Sequence, residues 1–288
     1  MRVGSHVKMP ARQTLSLVGV AFVAAGCSNA ANEVDGVDSA PGTSAPGHIH
    51  NLALVAGELW MGAHNGMWKQ AQGGEVSRVS RDAWDVMGLT KTPEAWLAGG
   101  HPGPDQSGPA SLGLQKSGDG GQSWQAVSLV GDVDFHRLAV SGEVIVGLSS
   151  SDGALMISPD RGRSWKSTTD VPLVDITVDP RDPMVMVGTT QDGTVRSIDG
   201  GDTFMLVKAA PLIALVSWTG SSLYGVAPDG AVYASLDNGV TWDERGTVEG
   251  APIAIAADGE SLAVLANQVV VESADGGRTF KPRLTGLG

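Results

Sequence analysis

The segment Ser117-Gly-Asp119-Gly-Gly121-Gln-Ser123-Trp124 returns four more times in this chain. The copies are Ser158-Pro-Asp160-Arg-Gly162-Arg-Ser164-Trp165, Ser197-Ile-Asp199-Gly-Gly201-Asp-Thr203-Phe204, Ser235-Leu-Asp237-Asn-Gly239-Val-Thr241-Trp242 and Ser273-Ala-Asp275-Gly-Gly277-Arg-Thr279-Phe280. Their first serines lie 41, 39, 38 and 38 residues apart. A unit of about 40 residues matches one four-stranded propeller blade. Asp and Ser/Thr side chains hydrogen-bond the backbone of a tight turn, and glycine supplies its left-handed conformation. The closing Trp or Phe wedges between neighbouring sheets, where an aromatic ring buries a large area. Asp119, Asp160, Asp199, Asp237 and Asp275 are therefore read as structural, with no catalysis assigned to them.

The octapeptide resembles the Asp-box (BNR) repeat of sialidases and related propellers, from about residue 85 to the end. The resemblance implies an all-β chain forming a single six-bladed β-propeller, with Asp-box turns between the third and fourth strands of each blade. The first blade has Ala71-Gln-Gly-Gly-Glu75 in place of the box. Seven blades, with strands drawn from the N-terminal segment, is the minor alternative.

The ends set the location. Arg2, Lys8 and Arg12 precede an apolar run from Leu15 to Ala25, and Ala24-Ala25-Gly26-Cys27 offers a small-residue cleavage site. The run is too short for a stable bilayer span. Residues 1–26 read as a lipoprotein signal peptide, and Ala24–Cys27 is similar to a bacterial lipobox in which Cys27 is lipidated. Residues 27–47, rich in Ala, Gly, Ser, Pro and Asp, read as a flexible tether. Residues 48–288 form the propeller. The expectation is an exported monomer, lipid-anchored on the extracytoplasmic face of a membrane. Cys27 is the single cysteine, which excludes disulfides and a cysteine nucleophile elsewhere. Loss of Arg2, Lys8 and Arg12 with the signal moves the formal charge from −12 to −15. Such a surface repels nucleic acid and anionic lipid.

Each repeat reads as four strands around turns. Inner strands are expected at 48–54, 85–90, 134–140, 174–178, 212–216 and 253–257, with an insertion from Gly99 to Lys116 in blade 2. Residues n and n+2 share a strand face. Blades 1 to 3 then start with His48/His50, Asp85/Met87 and Asp134/His136, and blades 4 to 6 with Pro172/Val174, Pro211/Ile213 and Ala251/Ile253. One half of the channel mouth is polar and the other apolar. His64 and His101 follow the second strands of blades 1 and 2, on the same face.

Three uses compete for this cluster. A zinc or copper site would draw on His48, His50 and His136, with Met87 as a soft donor favouring copper and Asp85 or Asp134 as a further ligand or as a partner fixing a histidine tautomer. A glycoside hydrolase would use Asp85 and Asp134 as its catalytic pair, aided by Asp105 and by Trp84 as a stacking surface. A non-catalytic site for a small molecule, glycan or partner protein would place His64, His101, Trp84, Asp105 and Arg137 around the ligand.

Family residues transfer unevenly. Sialidases grip substrate with three arginines and use a tyrosine nucleophile. Here Arg81 and Arg137 lack a third partner, and Tyr224 and Tyr233 fall in blade-5 strands. The nearest overall likeness is to single-propeller bacterial lipoproteins of the BNR glycosylhydrolase group. In those, starts similar to His48-Ile-His50, Asp85-Val-Met87 and Asp134-Phe-His136, and a loop like Gly100-His-Pro-Gly103, recur. That label rests on the repeat, so it implies fold more directly than reaction.

Overall fold

A computed structural model describes residues 45–168 and 170–287. Cys27 and the expected signal peptide lie outside the described residues, as does the tether up to residue 44. The strands fall into six antiparallel sheets of four. Blade 1 holds β1 (Ile49–Val55), β2 (Glu58–Ala63), β3 (Gly66–Gln70) and β4 (Val76–Arg78). Blade 2 holds β5 (Asp85–Lys91), β6 (Trp96–His101), β7 (Leu114–Ser117) and β8 (Gln125–Ser128). Blade 3 holds β9 (Phe135–Ser141), β10 (Val144–Ser149), β11 (Leu155–Ser158) and β12 (Lys166–Thr168). Blade 4 holds β13 (Asp175–Asp179), β14 (Asp182–Thr190), β15 (Gly193–Ser197) and β16 (Met205–Leu206). Blade 5 holds β17 (Leu215–Thr219), β18 (Ser222–Val226), β19 (Ala231–Ser235) and β20 (Asp243–Thr247). Blade 6 holds β21 (Pro252–Asp258), β22 (Ser261–Ala266), β23 (Val269–Ser273) and β24 (Lys281–Leu284).

Each inner strand touches the inner strands of the blades before and after it, and β1 meets β21. The fold is a six-bladed β-propeller. Each sheet uses one uninterrupted stretch of chain. The seam between blades 6 and 1 closes by packing Ile49, Leu52 and Trp68 against Ala254, Leu265 and Leu287. Arg283 bridges the same seam, donating to the carbonyls of Gly57 and Gln70 at 3.0 and 3.2 Å.

The core is not central. It is divided among the blade interfaces, so burial rewards each blade only when its neighbour is present. Phe135 shows how close the fit is. Cβ atoms on Gly99 of blade 2 and Gly147 of blade 3 would lie 2.6 Å from its side chain. The octapeptide turns add to these interfaces. In each, the first serine donates to the aspartate and accepts from the fifth-position glycine N–H, as Ser158 does with Asp160 and Gly162 at 3.0 and 2.7 Å. Gly162 has φ +86°, and a Cβ there would stand 2.4 Å from Leu114 of blade 2. The glycine serves both the turn and the contact with the preceding blade.

Most inner-strand bounds lie within a residue of expectation, and three departures are larger. Residues 45–47, expected in the tether, are fastened to blade 1: Gly47 N donates to Asn65 Oδ1 at 2.9 Å, and Asn65 Nδ2 donates to the Ala45 carbonyl at 3.2 Å. Strand β6 continues through Gly99 and Gly100 to His101, because Gly88 and Val86 pair with the two glycines. The blade-2 insertion is thereby reduced to 102–113. The inner strand of blade 5 starts at Leu215, three residues beyond Leu212.

Candidate metal centre

Four inner strands carry an irregularity near their start. The register slips between Ile49 and Asn51, Val86 and Gly88, and Pro252 and Ala254, and opposite Leu148/Ser149 in blade 3. The extra residues are His50, Met87, Ile253 and His136. A bulge re-aims the side chain it inserts and is common beside functional sites.

The structure brings the histidines into two groups. His50, His64 and Asp85 each offer an atom to one, and His101, Asp134 and His136 to the other, with those atoms within 4.8 Å of one another in each group. His50 Nε2 lies 3.1 Å from Asp85 Oδ1, and His64 Nδ1 lies 2.7 Å from Asp85 Oδ2. His136 Nε2 and His101 Nε2 lie 2.8 and 3.3 Å from Asp134 Oδ2. The pairs His64/Asp85 and His101/Asp134 are related by a step of one blade, whereas His50 comes from the blade before its carboxylate and His136 from the same blade as its carboxylate. His64 follows β2 and reaches forward to the carboxylate opening blade 2. His101 follows the second strand of its blade in the same way and reaches forward to the carboxylate opening blade 3. At the corresponding place in blade 3, Ser150 turns back and hydrogen-bonds Asp134 of its own blade.

Asp85 and Asp134 are buried, while His64 is exposed. Burial pushes both carboxyls up. The contact with His50 and the charges of His50, His64 and His101 outweigh it at Asp85, so Asp85 lies below its ordinary value. His136 and Ser150, with the charges of His136 and His101, do the same for Asp134. Both are carboxylates at neutral pH. His48 is lowered by its partial burial, then by the neighbouring charges of His50 and His64, against the pull of Asp85.

Of nine buried side-chain nitrogen and oxygen atoms without an aligned hydrogen bond among the described residues, four fall here: His50 Nε2, Asp85 Oδ1, His136 Nε2 and Asp134 Oδ1. Both nitrogens sit within hydrogen-bonding distance of a carboxylate oxygen, at 3.1 Å for His50 and 2.8 Å for His136. Buried polar atoms are normally satisfied. Imidazole nitrogens and carboxylate oxygens crowded side by side are the arrangement of ligands around a cation. Bonds of about 2.1 Å in a tetrahedral shell separate ligand atoms by about 3.4 Å; here the histidine nitrogens lie 2.7–3.3 Å from the carboxylate oxygens, and each group fits within 4.8 Å.

The remaining expected residues are placed as follows. His48, His50, Met87 and His136, expected to form one ligand set, are divided: His50 stands with Asp85 and His136 with Asp134, while His48 packs its ring beside those of His50 and His64 outside the Asp85 group. Met87 is the half-buried bulge residue of β5, in the blade between His50 and His136. Trp84 is 3% exposed and packs edge-on against Trp124 at 5.4 Å. Asp105 is exposed on the insertion, outside both groups. Arg137 turns toward Asp175, Nε to Oδ1 3.3 Å, and donates to the His136 carbonyl. Tyr224 is buried and donates to the Gly259 carbonyl at 3.3 Å, in keeping with a packing role.

Asp175 was not a candidate from sequence, because the apolar run around it read as core. It takes the inner-strand position next to Arg137 and helps line an axial cavity of about 650 Å³, together with Asn51, Thr177 and Ser217. The five histidines lie outside that lining.

No family model matches the chain, and no curated protein matches it. Solved propellers match in fold. A chain of the nidogen/laminin complex is 12% identical with a TM-score of 0.60, over 77% of this chain and 91% of that one. YCF48 bound to D1 peptide is 15% identical with a TM-score of 0.51, over 83% and 81%. An ancestral GH74 enzyme is 17% identical with a TM-score of 0.52, over 83% of this chain and 39% of the enzyme. Identities this low carry the β-propeller fold alone. Among the described residues, no helix is long and apolar enough to cross a membrane.

Proposed function

We propose that this chain is an exported, lipid-anchored propeller of the Asp-box lipoprotein kind, binding Zn²⁺ or Cu²⁺ on the face where its inner strands begin. The observation that carries the metal reading is the burial of four unsatisfied donor atoms within two His-Asp-His groups. Two imidazoles and a carboxylate suit a borderline divalent ion. Lipidation at Cys27 is supported by the lipobox-like Ala24–Cys27 and the apolar run before it.

A glycoside hydrolase reading is less well supported. A general acid must be protonated when it meets substrate, and both Asp85 and Asp134 lie below the usual carboxylate range. Elemental analysis of full-length protein, extracted without chelator, tests the proposal. Bound zinc or copper that disappears in the His50→Ala/His136→Ala double variant supports it. Metal-free protein that also takes up no added zinc or copper overturns it. Hydrolysis of aryl glycosides that survives chelator and fails in Asp134→Asn supports the hydrolase instead.

A further inference from the structure

Resting on that metal reading, we propose that the two groups have different chemistry: the Asp85 group takes His48 as a fourth ligand and closes around its ion, whereas the Asp134 group is an open three-ligand centre with a place for an exogenous donor such as water or a small anion. Atom counts favour this first. His48, His50 and His64 form a triangle of rings with centroids 4.9, 5.9 and 4.6 Å apart. An imidazole bonded at about 2.1 Å has its ring centre about 3.2 Å from the ion, so three of them in a tetrahedral shell stand about 5 Å apart. Three imidazoles and Asp85 make a complete shell once the exposed His48, which stands outside the 4.8 Å set formed by the other three, turns inward.

The Asp134 group has no such fourth member. One blade onward, the position equivalent to His48 is Asp85, which already faces His50 and His64. The position equivalent to His50 is Met87, and a thioether is a poor ligand for Zn²⁺. His101 and His136, with ring centroids 5.9 Å apart, are the imidazoles present.

This second centre is nonetheless held in place. His101 Nδ1 lies 2.9 Å from the Ala110 carbonyl, which directs Nε2 toward Asp134. The Ser150 hydroxyl holds the Asp134 carboxylate. Arg137 donates to the His136 carbonyl at 3.0 Å. An open metal position supported by outer contacts is the form of a catalytic or ligand-exchanging site, and a closed shell is the form of a structural one.

Cobalt titration of chelator-stripped, full-length protein separates these roles. Two equivalents are expected. One gives an intense visible band, as tetrahedral Co²⁺ does, and ignores azide; the other shifts when azide is added. His48→Ala makes the first equivalent azide-responsive and weakens it by about tenfold or more. His101→Ala removes the azide-responsive equivalent and leaves the other. Identical azide responses at both sites, an azide-silent band surviving His48→Ala, or a total of one equivalent overturns the inference while leaving metal binding intact. Uptake of no metal at all overturns the metal reading beneath it.

Discussion

Arg137 Nε lies 3.3 Å from Asp175 Oδ1, linking blade 3 to blade 4 where the imidazole-bearing half of the ring meets the apolar half. Asp175 also accepts from the N–H of Ile176 in its own blade and of Val216 in blade 5, each at 2.9 Å. One carboxylate thus ties three blades. Burial pushes its pKa up, and Arg137 opposes the push.

Removing the guanidinium strands this carboxylate. Breaking a buried pair costs about 3 kcal/mol or more, so Arg137→Met should lower the urea midpoint clearly at neutral pH. Arg137→Met/Asp175→Asn should recover part of that loss, since a neutral amide still offers an oxygen to Val216. A double variant no more stable than the single one would count against a charge-pair origin.

Ser158 is fully buried and accepts the Gly162 N–H inside its turn. Ser158→Ala leaves that donor unpaired at the interface of blades 2 and 3. The expected loss is about 1–3 kcal/mol, readable by calorimetry. An unchanged melting temperature would mean that the turn is not a fastening.

Acid should loosen several turns together. The N–H and hydroxyl of Ser164 hold the Asp160 carboxyl at about 2, and those of Thr203 hold Asp199 at about 2, against an ordinary 3.8. A folded value below the unfolded one stabilises the fold fully above the ordinary value, and the benefit fades as pH falls through the folded value. Unfolding between roughly pH 4 and pH 2 is therefore expected, with a shallower acid limb in Asp160→Asn/Asp199→Asn. Circular dichroism across that range checks it.

Gly100 sets the distance between β5 and β6 at the site. Its φ is +150°, and a Cβ there would meet the Asp85 carbonyl at 1.9 Å. Gly100→Ala must displace the strand starts carrying Asp85 and His101. It should weaken zinc uptake at both groups by about tenfold or more, whereas Gly142→Ala, where a Cβ meets nothing within 4 Å, should leave uptake unchanged. Equal uptake by the two variants would separate the site from this backbone approach.

The blade count was legible because the octapeptide repeats both its spacing and its hydrogen bonds. Strand starts were less so. The rule that n and n+2 share a face assumes an unbroken pleat, and bulges at His50, Met87 and His136 break it. The histidines could be assigned to one end of the ring, but their division into two groups depends on His64 and His101 reaching into the following blade, which no single-blade pattern encodes. Asp175 was missed for a related reason. Its partners, Arg137 and Val216, lie 38 and 41 residues away in other repeats, and its own neighbours are apolar.

Among the described residues, the seam between blades 6 and 1 is made of side chains, with no strand shared across it. The polypeptide could therefore be circularly permuted, by joining Leu287 to Ala45 through a short linker and opening the backbone between blades 4 and 5. The blades would keep their circular order. Both imidazole groups belong to blades 1 to 3, so the permutant should retain them intact, far along the chain from either new end.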